Sequence, residues 1–306
     1  MTWKHTPYEP RIGALIVTWN RRADVLECID SVKRSSYPRL ATYVVDNASS
    51  DGTYEAIAAQ HPDVNLMRSE ENLGFAGGNN LGLSWALEDG LDAILLLNDD
   101  ILIAEDAVVR LIERSDDPEV GVVSPKVFVH SDPQTIWAAG GLVDSRGAAV
   151  QKHYGELDRG QADEPSDIDY AVGCAMLVKT EAIRHVGLMD PRYYMYYEES
   201  DWCRRMRRAG YRILYVPESR AWHKVSMNGH IRNHAPYYFA RNRLLYLRED
   251  GIPPLAIAWI ALWNTIRSAA VHALKGRREE SRLIVRAVAD YYLGNFGKFR
   301  NGLKAG

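Results

Sequence analysis

Ala93-Ile94-Leu95-Leu96-Leu97-Asn98-Asp99-Asp100 is an unbroken aliphatic run that ends in an amide and two carboxylates. A short apolar run that stops abruptly at polar side chains reads as a strand buried on both faces, the kind found inside parallel sheets covered by helices. Toward the N-terminus the same form recurs. Ile12 to Thr18 closes on Thr18-Trp19-Asn20, Thr42 to Val45 closes on Asp46-Asn47, and Val64 to Met67 makes a further strand. Helical patterns at Ala23 to Lys33, Thr53 to Gln60 and Gly77 to Leu87 lie between them. This alternation predicts an α/β fold with a mostly parallel central sheet. Open parallel sheets bind ligands at the carboxyl ends of their strands, so the three polar clusters are expected to face one crevice.

Toward the C-terminus the alternation weakens. A helix is expected near Ala107 to Arg114, a strand near Gly121 to Val129, a polar Asp-rich loop from Glu156 to Asp169 and a buried strand from Ala171 to Val178. An acidic-to-basic helix, Glu199 to Ala209, and a strand, Arg212 to Val216, follow. After Pro253-Pro254, Leu255, Trp259, Leu262, Trp263 and Ile266 share one helical face, and a basic helix comes near Arg282 to Leu293. The expected division is a catalytic domain, residues 1–249, and a helical extension, residues 250–306. From Asp250 onward nine Lys/Arg face four Asp/Glu, a surplus of five that leaves −8 for the rest of a chain of net charge −3. Two readings of this tail compete. Its apolar stripe packs on the catalytic domain or on a second subunit, or it lies on a membrane with Lys275, Arg277, Arg278, Arg282 and Arg286 toward anionic lipid.

Composition and missing motifs narrow the function. With 46% hydrophobic and 25% charged residues in 306, the chain is of the ordinary globular class. Cys28, Cys174 and Cys203 have no metal or disulfide spacing, which suits a reducing compartment. Met1 to Pro10 lacks the apolar core of a signal peptide, and Ile252 to Trp263 is shorter than the roughly 20 residues that span a bilayer. The expectation is a cytoplasmic protein, at most peripheral at the inner face of the membrane, with no nucleic acid among its partners. No G-x-x-x-x-G-K-[ST] or G-x-G-x-x-G is present, which argues against P-loop and dinucleotide enzymes. A sugar nucleotidyltransferase would carry a Gly-rich basic loop after its first strand, where this chain has Thr18-Trp19-Asn20-Arg21-Arg22. A non-catalytic binding module would lack the acids at Asp100 and Glu199, and both are present.

Each polar cluster also has a plainer structural reading. Asp99 and Asp100 can hold a hard divalent cation that bridges a diphosphate, or cap a helix starting near Glu105. Asp46 to Gly52 offers donors and acceptors for a base or ribose, while Asp51-Gly52 makes a good helix start. Asp46 at a strand end needs a partner in either case. Glu71 to Asn80 is a Gly/Asn-rich loop that lets backbone approach a ligand. Acids in Tyr197-Glu198-Glu199-Ser200-Asp201-Trp202 favour a helix N-terminus whether or not they act, and His223 is a structural residue or a ligand.

Taken together, Val17-Thr18-Trp19-Asn20, Val45 to Gly52, Asn72 to Asn80, Leu97 to Asp100, Gly173 to Leu177 and Tyr197 to Cys203 resemble the family 2 glycosyltransferases of the GT-A fold, in particular the rhamnosyltransferase-like branch. The resemblance implies an inverting, metal-dependent hexosyltransferase of cell-surface polysaccharide synthesis. It would use Mn²⁺ or Mg²⁺, a dTDP- or UDP-linked donor, and a saccharide or polyprenyl-diphosphate-linked acceptor. It implies that Asp46 reads the base and that Thr18, Asn20, Asn47, Asn72 and Asp99 line the nucleotide pocket. Asp100 would hold the metal with His223 as co-ligand. Asn79, Trp137, Gly173, Cys174 and Glu198 would face donor sugar or acceptor, and Glu199 would be the catalytic base. The chain departs from the family pattern in having Glu199 where Asp is usual and Asn98 where the metal triplet often begins with Asp.

Overall fold

Ile12, Ala14, Leu15 and Ile16 have no exposed surface, as a strand covered by helices on both faces requires. The computed structural model describes residues 9–224 and 234–300, so the expectation that Met1 to Pro10 lacks a signal-peptide core falls, up to Tyr8, outside the described residues. These residues begin a regular βα succession: β1 (Ile12–Thr18), α1 (Arg22–Lys33), β2 (Leu40–Asp46), α2 (Thr53–Gln60), β3 (Asn65–Arg68), α3 (Gly74–Glu88) and β4 (Ala93–Asn98). Strands β3, β2, β1 and β4 lie side by side in that order and all parallel. Thr18 pairs with Asp46 and Val17 with Asn98, so the polar clusters emerge together at one sheet edge.

One local expectation is corrected. The Gly/Asn-rich loop ends at Leu73, and the helix expected from Gly77 begins three residues earlier, at Gly74. Glycine weakens an isolated helix, but here close approach to β1 decides: a Cβ on Gly78 would lie 2.7 Å from Val17, and one on Gly82 2.3 Å from Leu15. Gly74 itself has a φ of +74° and touches the Tyr194 carbonyl, so it begins the helix where a side chain has no room.

The chain continues with β5 (Ile101–Ile103), α4 (Ala107–Ser115), β6 (Val120–Val129), β7 (Asp132–Ala138), β8 (Gly141–Val143), β9 (Ala149–Gln151) and β10 (Ser166–Asp167). It then forms β11 (Ala175–Lys179), α5 (Thr180–Val186), α6 (Glu198–Arg208) and β12 (Arg212–His223). β11 runs antiparallel between β4 and β6, and β12 lies parallel to β6. The last strand was expected to stop at Val216. Instead a register irregularity between Val216 and Arg220 lets it run on along β6, pairing His223 with Ile101 of β5. A bulge bends and re-aims a strand, and here it returns the chain to the end of β4. Because β5 intervenes before α4, Asp99 and Asp100 do not cap that helix.

The C-terminal helices are α7 (Ala235–Glu249), α8 (Pro254–Ile260), a π-helical segment (Ala261–Ile266), α9 (Arg267–Leu274) and α10 (Arg278–Leu293). Leu244 and Leu247 of α7 cluster with Ile257, Ile260 and Tyr291, which ties the tail together. Of the two readings of the stripe, packing on its own chain is not what the structure has: Leu255 is 86% exposed, Trp259 62% and Leu262 59%. Ile257, Ile260, Ala261, Thr265 and Ala269 point inward instead. No helix among the described residues is long and apolar enough to cross a membrane.

Candidate active site

The ends of β1, β2 and β4 are cross-linked by their own polar side chains. Thr18 Oγ1 donates to Asp99 Oδ2 at 2.8 Å. Fully buried Asp46 accepts from the Ser49 N–H at 3.3 Å and pairs with Arg68 Nε at 3.3 Å, which supplies the partner its burial demands. Asn47 accepts from the Leu73 N–H at 2.9 Å and donates to the Gly74 carbonyl at 3.0 Å. Asn72 accepts from the Gly74 N–H and from the Tyr194 hydroxyl. Thr18, Asn47, Asn72 and Asp99 thus line one narrow cleft of about 100 Å³. Asn20 lies between the lining residues Trp19 and Arg21, and Asp46 immediately precedes Asn47.

Phe75, Asn98 and Met195 border both this cleft and a larger cavity of about 570 Å³. Trp137, Gly173, Cys174, Glu198, Glu199, Asp100 and His223 meet in that larger cavity. Asn79 does not. It is buried in α3 and donates to the Phe75 carbonyl at 2.9 Å, holding the helix rather than lining either space. Burial pushes the Cys174 thiol well up, so it stays neutral and is no nucleophile.

Charged side chains are concentrated at the edge between the two spaces. His223 Nε2 lies 3.0 Å from Asp100 Oδ1, and its ring packs edge-on against Trp137 with centroids 4.3 Å apart. Burial works against the Asp100 carboxylate, but the hydrogen bond and charge of His223 and the Arg21 guanidinium hold it well below the usual range. Arg21 bonds Asp100 and lies 3.4 Å from Asp99. Among the described residues no three His, Cys, Asp or Glu side chains already converge as a metal cluster. A guanidinium nevertheless holds a positive charge between the two carboxylates. Two hard oxygen donors beside an imidazole fit a divalent cation once that side chain swings aside.

The acid pair has the opposite environment. Glu198 and Glu199 open α6, and each has a buried oxygen with no hydrogen-bond partner. Burial raises both carboxyls, Glu198 well above its ordinary value with added repulsion from Glu199, and Glu199 to about 7. Glu199 is the more open of the two and stands against Gly173, where a Cβ would reach its Cγ at 3.4 Å. A buried carboxyl with one unpartnered oxygen, raised toward neutrality in a largely apolar cavity, suits general-base work. The cavity therefore brings a buried carboxyl with a raised pKa together with an edge where two carboxylates share a guanidinium.

The glycosyl transferase family 2 pattern matches residues 14–187, more than half of the chain. The chain belongs to this family. Among relatives of this glycosyltransferase, the Shigella flexneri dTDP-rhamnosyl transferase RfbF is 24% identical over 278 residues, 88% of this chain and 90% of that one. A Mycobacterium tuberculosis N-acetylglucosaminyl-diphospho-decaprenol L-rhamnosyltransferase is 24% identical over 256 residues, 77% and 83% of the two chains. The Haloferax volcanii low-salt glycan biosynthesis hexosyltransferase Agl10 is 26% identical over 180 residues, 56% of this chain, which there spans only about half of the relative's length (54%). The structure of the Pyrobaculum calidifontis mannosyltransferase PcManGT, in complex with GDP-Man and Mn²⁺, superposes with a TM-score of 0.61 at 19% identity, covering 94% and 88%. The fold is GT-A.

Arg21, Arg68, Phe75 and Met195 belong to the site and were not singled out from the sequence. Arg21 and Arg68 had a legible signal, since each follows or ends a strand at the same sheet edge as the acids. Phe75 and Met195 had none.

Proposed function

We propose that this glycosyltransferase moves L-rhamnose from dTDP-rhamnose to a hydroxyl of a saccharide or polyprenyl-diphosphate-linked acceptor, with inversion, in cell-surface polysaccharide synthesis. The observation that carries the reaction type is the sharing of one cavity by Glu199, one of whose carboxyl oxygens is buried without a hydrogen-bond partner, and by Asp100 with His223. Inversion needs a base for the acceptor proton and charge stabilisation at the leaving group, with no covalent sugar intermediate. Glu199 takes the acceptor proton as its oxygen attacks the anomeric carbon. Asp46 and Arg68 engage the base, and Thr18, Asn47 and Asn72 shape the cleft for the nucleotide. Asp99, Asp100 and His223 would hold a divalent cation, Mn²⁺ or Mg²⁺, which when bound neutralises the departing diphosphate. The names of the rhamnosyl-transferring relatives support the donor. The test is release of nucleoside diphosphate from a panel of dTDP- and UDP-sugars with and without Mn²⁺. Turnover of dTDP-rhamnose is expected, and turnover confined to UDP-hexoses would refute the donor while leaving the chemistry.

The acceptor's lipid is supported by the tail. From Ile252 to Arg278 there is no Asp or Glu, although Leu255, Trp259, Leu262 and Leu274 are all exposed. Arg267, Lys275, Arg278 and Arg282 make no ion pair among the described residues. An acid-free face of Trp and Leu edged by unpaired cations complements an anionic bilayer surface, where Trp favours the interface. On this reading the enzyme is peripheral at the cytoplasmic face, with residues 1–249 carrying the chemistry and residues 250–306 the contact. Sedimentation with liposomes of graded anionic content tests it. Binding that rises with anionic lipid is expected, and a lipid-indifferent dimer would assign the face to a second copy.

A further inference from the structure

The segment that delivers the acid pair is bent against its own preferences. Tyr194, Tyr196 and Tyr197, immediately before Glu198, have φ values of 63°, 67° and 75°. Left-handed backbone is disfavoured for bulky side chains, and three such residues within four persist only where the surroundings over-determine them. What determines them is a pair of fully buried residues far along the chain, Arg241 and Asn242 of α7.

The carbonyls of this segment are all held. Asn242 Nδ2 reaches the carbonyls of Tyr193, Met195 and Tyr196 at 2.9, 2.8 and 2.8 Å, so its two hydrogens are shared among three acceptors. Arg241 Nη2 donates to Arg192 and Tyr193. The Tyr194 carbonyl, which would otherwise be left out, accepts from the Phe75 N–H at the start of α3 at 2.8 Å. Arg241 Nε donates to Asn242 Oδ1 at 3.0 Å, and this bond fixes which way the amide faces. With the oxygen engaged there, the NH₂ must point at the segment. The guanidinium reaches no carboxylate among the described residues. It is satisfied by carbonyls, the Tyr237 hydroxyl and the Asn242 amide, and it stands over the Tyr237 and Tyr238 rings. The pair therefore spends a buried charge and a buried amide on four backbone carbonyls between Arg192 and Tyr196.

From this we infer that Arg241 and Asn242 are positioning residues for the reaction, which hold the Tyr193–Tyr197 segment so that Glu199 projects into the cavity beside Gly173. They touch no reacting atom. Their effect passes through the segment, one side of which also carries Tyr194 to Asn72 in the nucleotide cleft. The inference rests on Glu199 as the base.

The test compares Asn242→Ser and Arg241→Lys with the parent and with Glu199→Gln. Measured are transfer from dTDP-rhamnose across pH, calorimetric binding of dTDP and UDP with Mn²⁺, and amide hydrogen exchange. Arg241→Lys keeps the charge but loses the fork that orients Asn242, which makes it the milder variant. In both, kcat is expected to fall about 10- to 100-fold, the loss typical of a misplaced catalytic group, with diphosphate affinity within about twofold. The acid limb of the pH profile should move, because a displaced Glu199 loses its burial. Amides from Met195 to Ser200 should exchange faster while those of α10 do not. Parental kcat, pH profile and exchange in either folded variant would overturn the assignment. So would losses of rate and of diphosphate binding that fall together in proportion to the unfolded fraction. If Glu199→Gln itself still transfers, the base assignment fails instead, and segment exchange alone then decides whether the pair clamps the backbone.

Discussion

Glu199→Gln separates the chemistry from the architecture because it keeps the shape of the side chain and removes its basic site. Loss of a general base costs about 10²- to 10⁴-fold. Transfer should fall in that range, with nucleoside diphosphate binding unchanged. The same variant has a stability signature. In the folded protein the Glu199 carboxyl is raised by burial from 4.5 to about 7. A raised carboxyl binds its proton more tightly folded than unfolded, so its contribution is fully present below the unfolded value and is lost as pH rises through about 7. A shift of this size corresponds to roughly 3 kcal/mol between the limits. For a chain of this length that is a few degrees, about 5 °C, in the melting midpoint. Glu199→Gln should therefore melt with the parent near pH 4 and above it near pH 8, while the parent's kcat/KM climbs through the same window. The assay is paired: thermal unfolding and initial transfer rates from pH 4 to pH 9. A Glu199→Gln variant that retains transfer, or that loses its melting advantage at pH 8, would refute the role. An inactive Glu198→Gln beside an active Glu199→Gln would move the base one residue back.

Two further outcomes test the cation edge and the tail. Asp100→Ala removes the acceptor shared by His223 and Arg21, and should lower dTDP affinity in Mn²⁺ by at least about 10-fold while affinity in chelator stays the same; equal affinities in calorimetry at saturating Mn²⁺ would refute it. Trp259→Ser with Trp263→Ser removes two exposed rings whose centroids are 5.3 Å apart. Liposome binding should fall several-fold without loss of melting temperature, and unchanged binding would place the contact elsewhere.

The parallel half of the fold was legible because its strands are covered on both faces, which makes them continuous apolar runs, and because each ends in polar residues. The same logic exposed Thr18, Asp46 and Asp100. It failed at the start of α3, where Gly/Asn composition reads as loop ahead of the helix legible from Gly77, since the close packing of Gly78 and Gly82 on β1 is a tertiary fact. It failed again at β12, because Pro217 and Glu218 break the apolar pattern at the bulge that carries the strand on to His223. In the tail, period alone identified an apolar face. Which face turns inward was settled by where α7 and α10 leave room, and the π-helical segment at Ala261–Ile266 rotates the later residues relative to the earlier ones.

Arg241 and Asn242 show why part of a site leaves no readable trace. Sequence motifs advertise side-chain chemistry at an element's end, as Asn98-Asp99-Asp100 does. The partners of Arg241 and Asn242 are mostly main-chain carbonyls, which every residue possesses, so nothing in the composition of Arg192 to Tyr196 announces that they are wanted. The only hint is indirect: a run of tyrosines held at positive φ must be held by something. The consequence for the enzyme is that its C-terminal helices are not detachable decoration. Asp290 of α10 accepts from the Tyr237 hydroxyl at 2.9 Å, Tyr237 accepts from Arg241, and Gly297 receives Arg241 while donating to the Arg192 carbonyl. A chain of hydrogen bonds thus runs from the tail to the backbone segment that precedes the acid pair. Whatever surface the exposed face of α8 and α9 meets, contact there bears on helices whose hydrogen bonds set the geometry of Glu199.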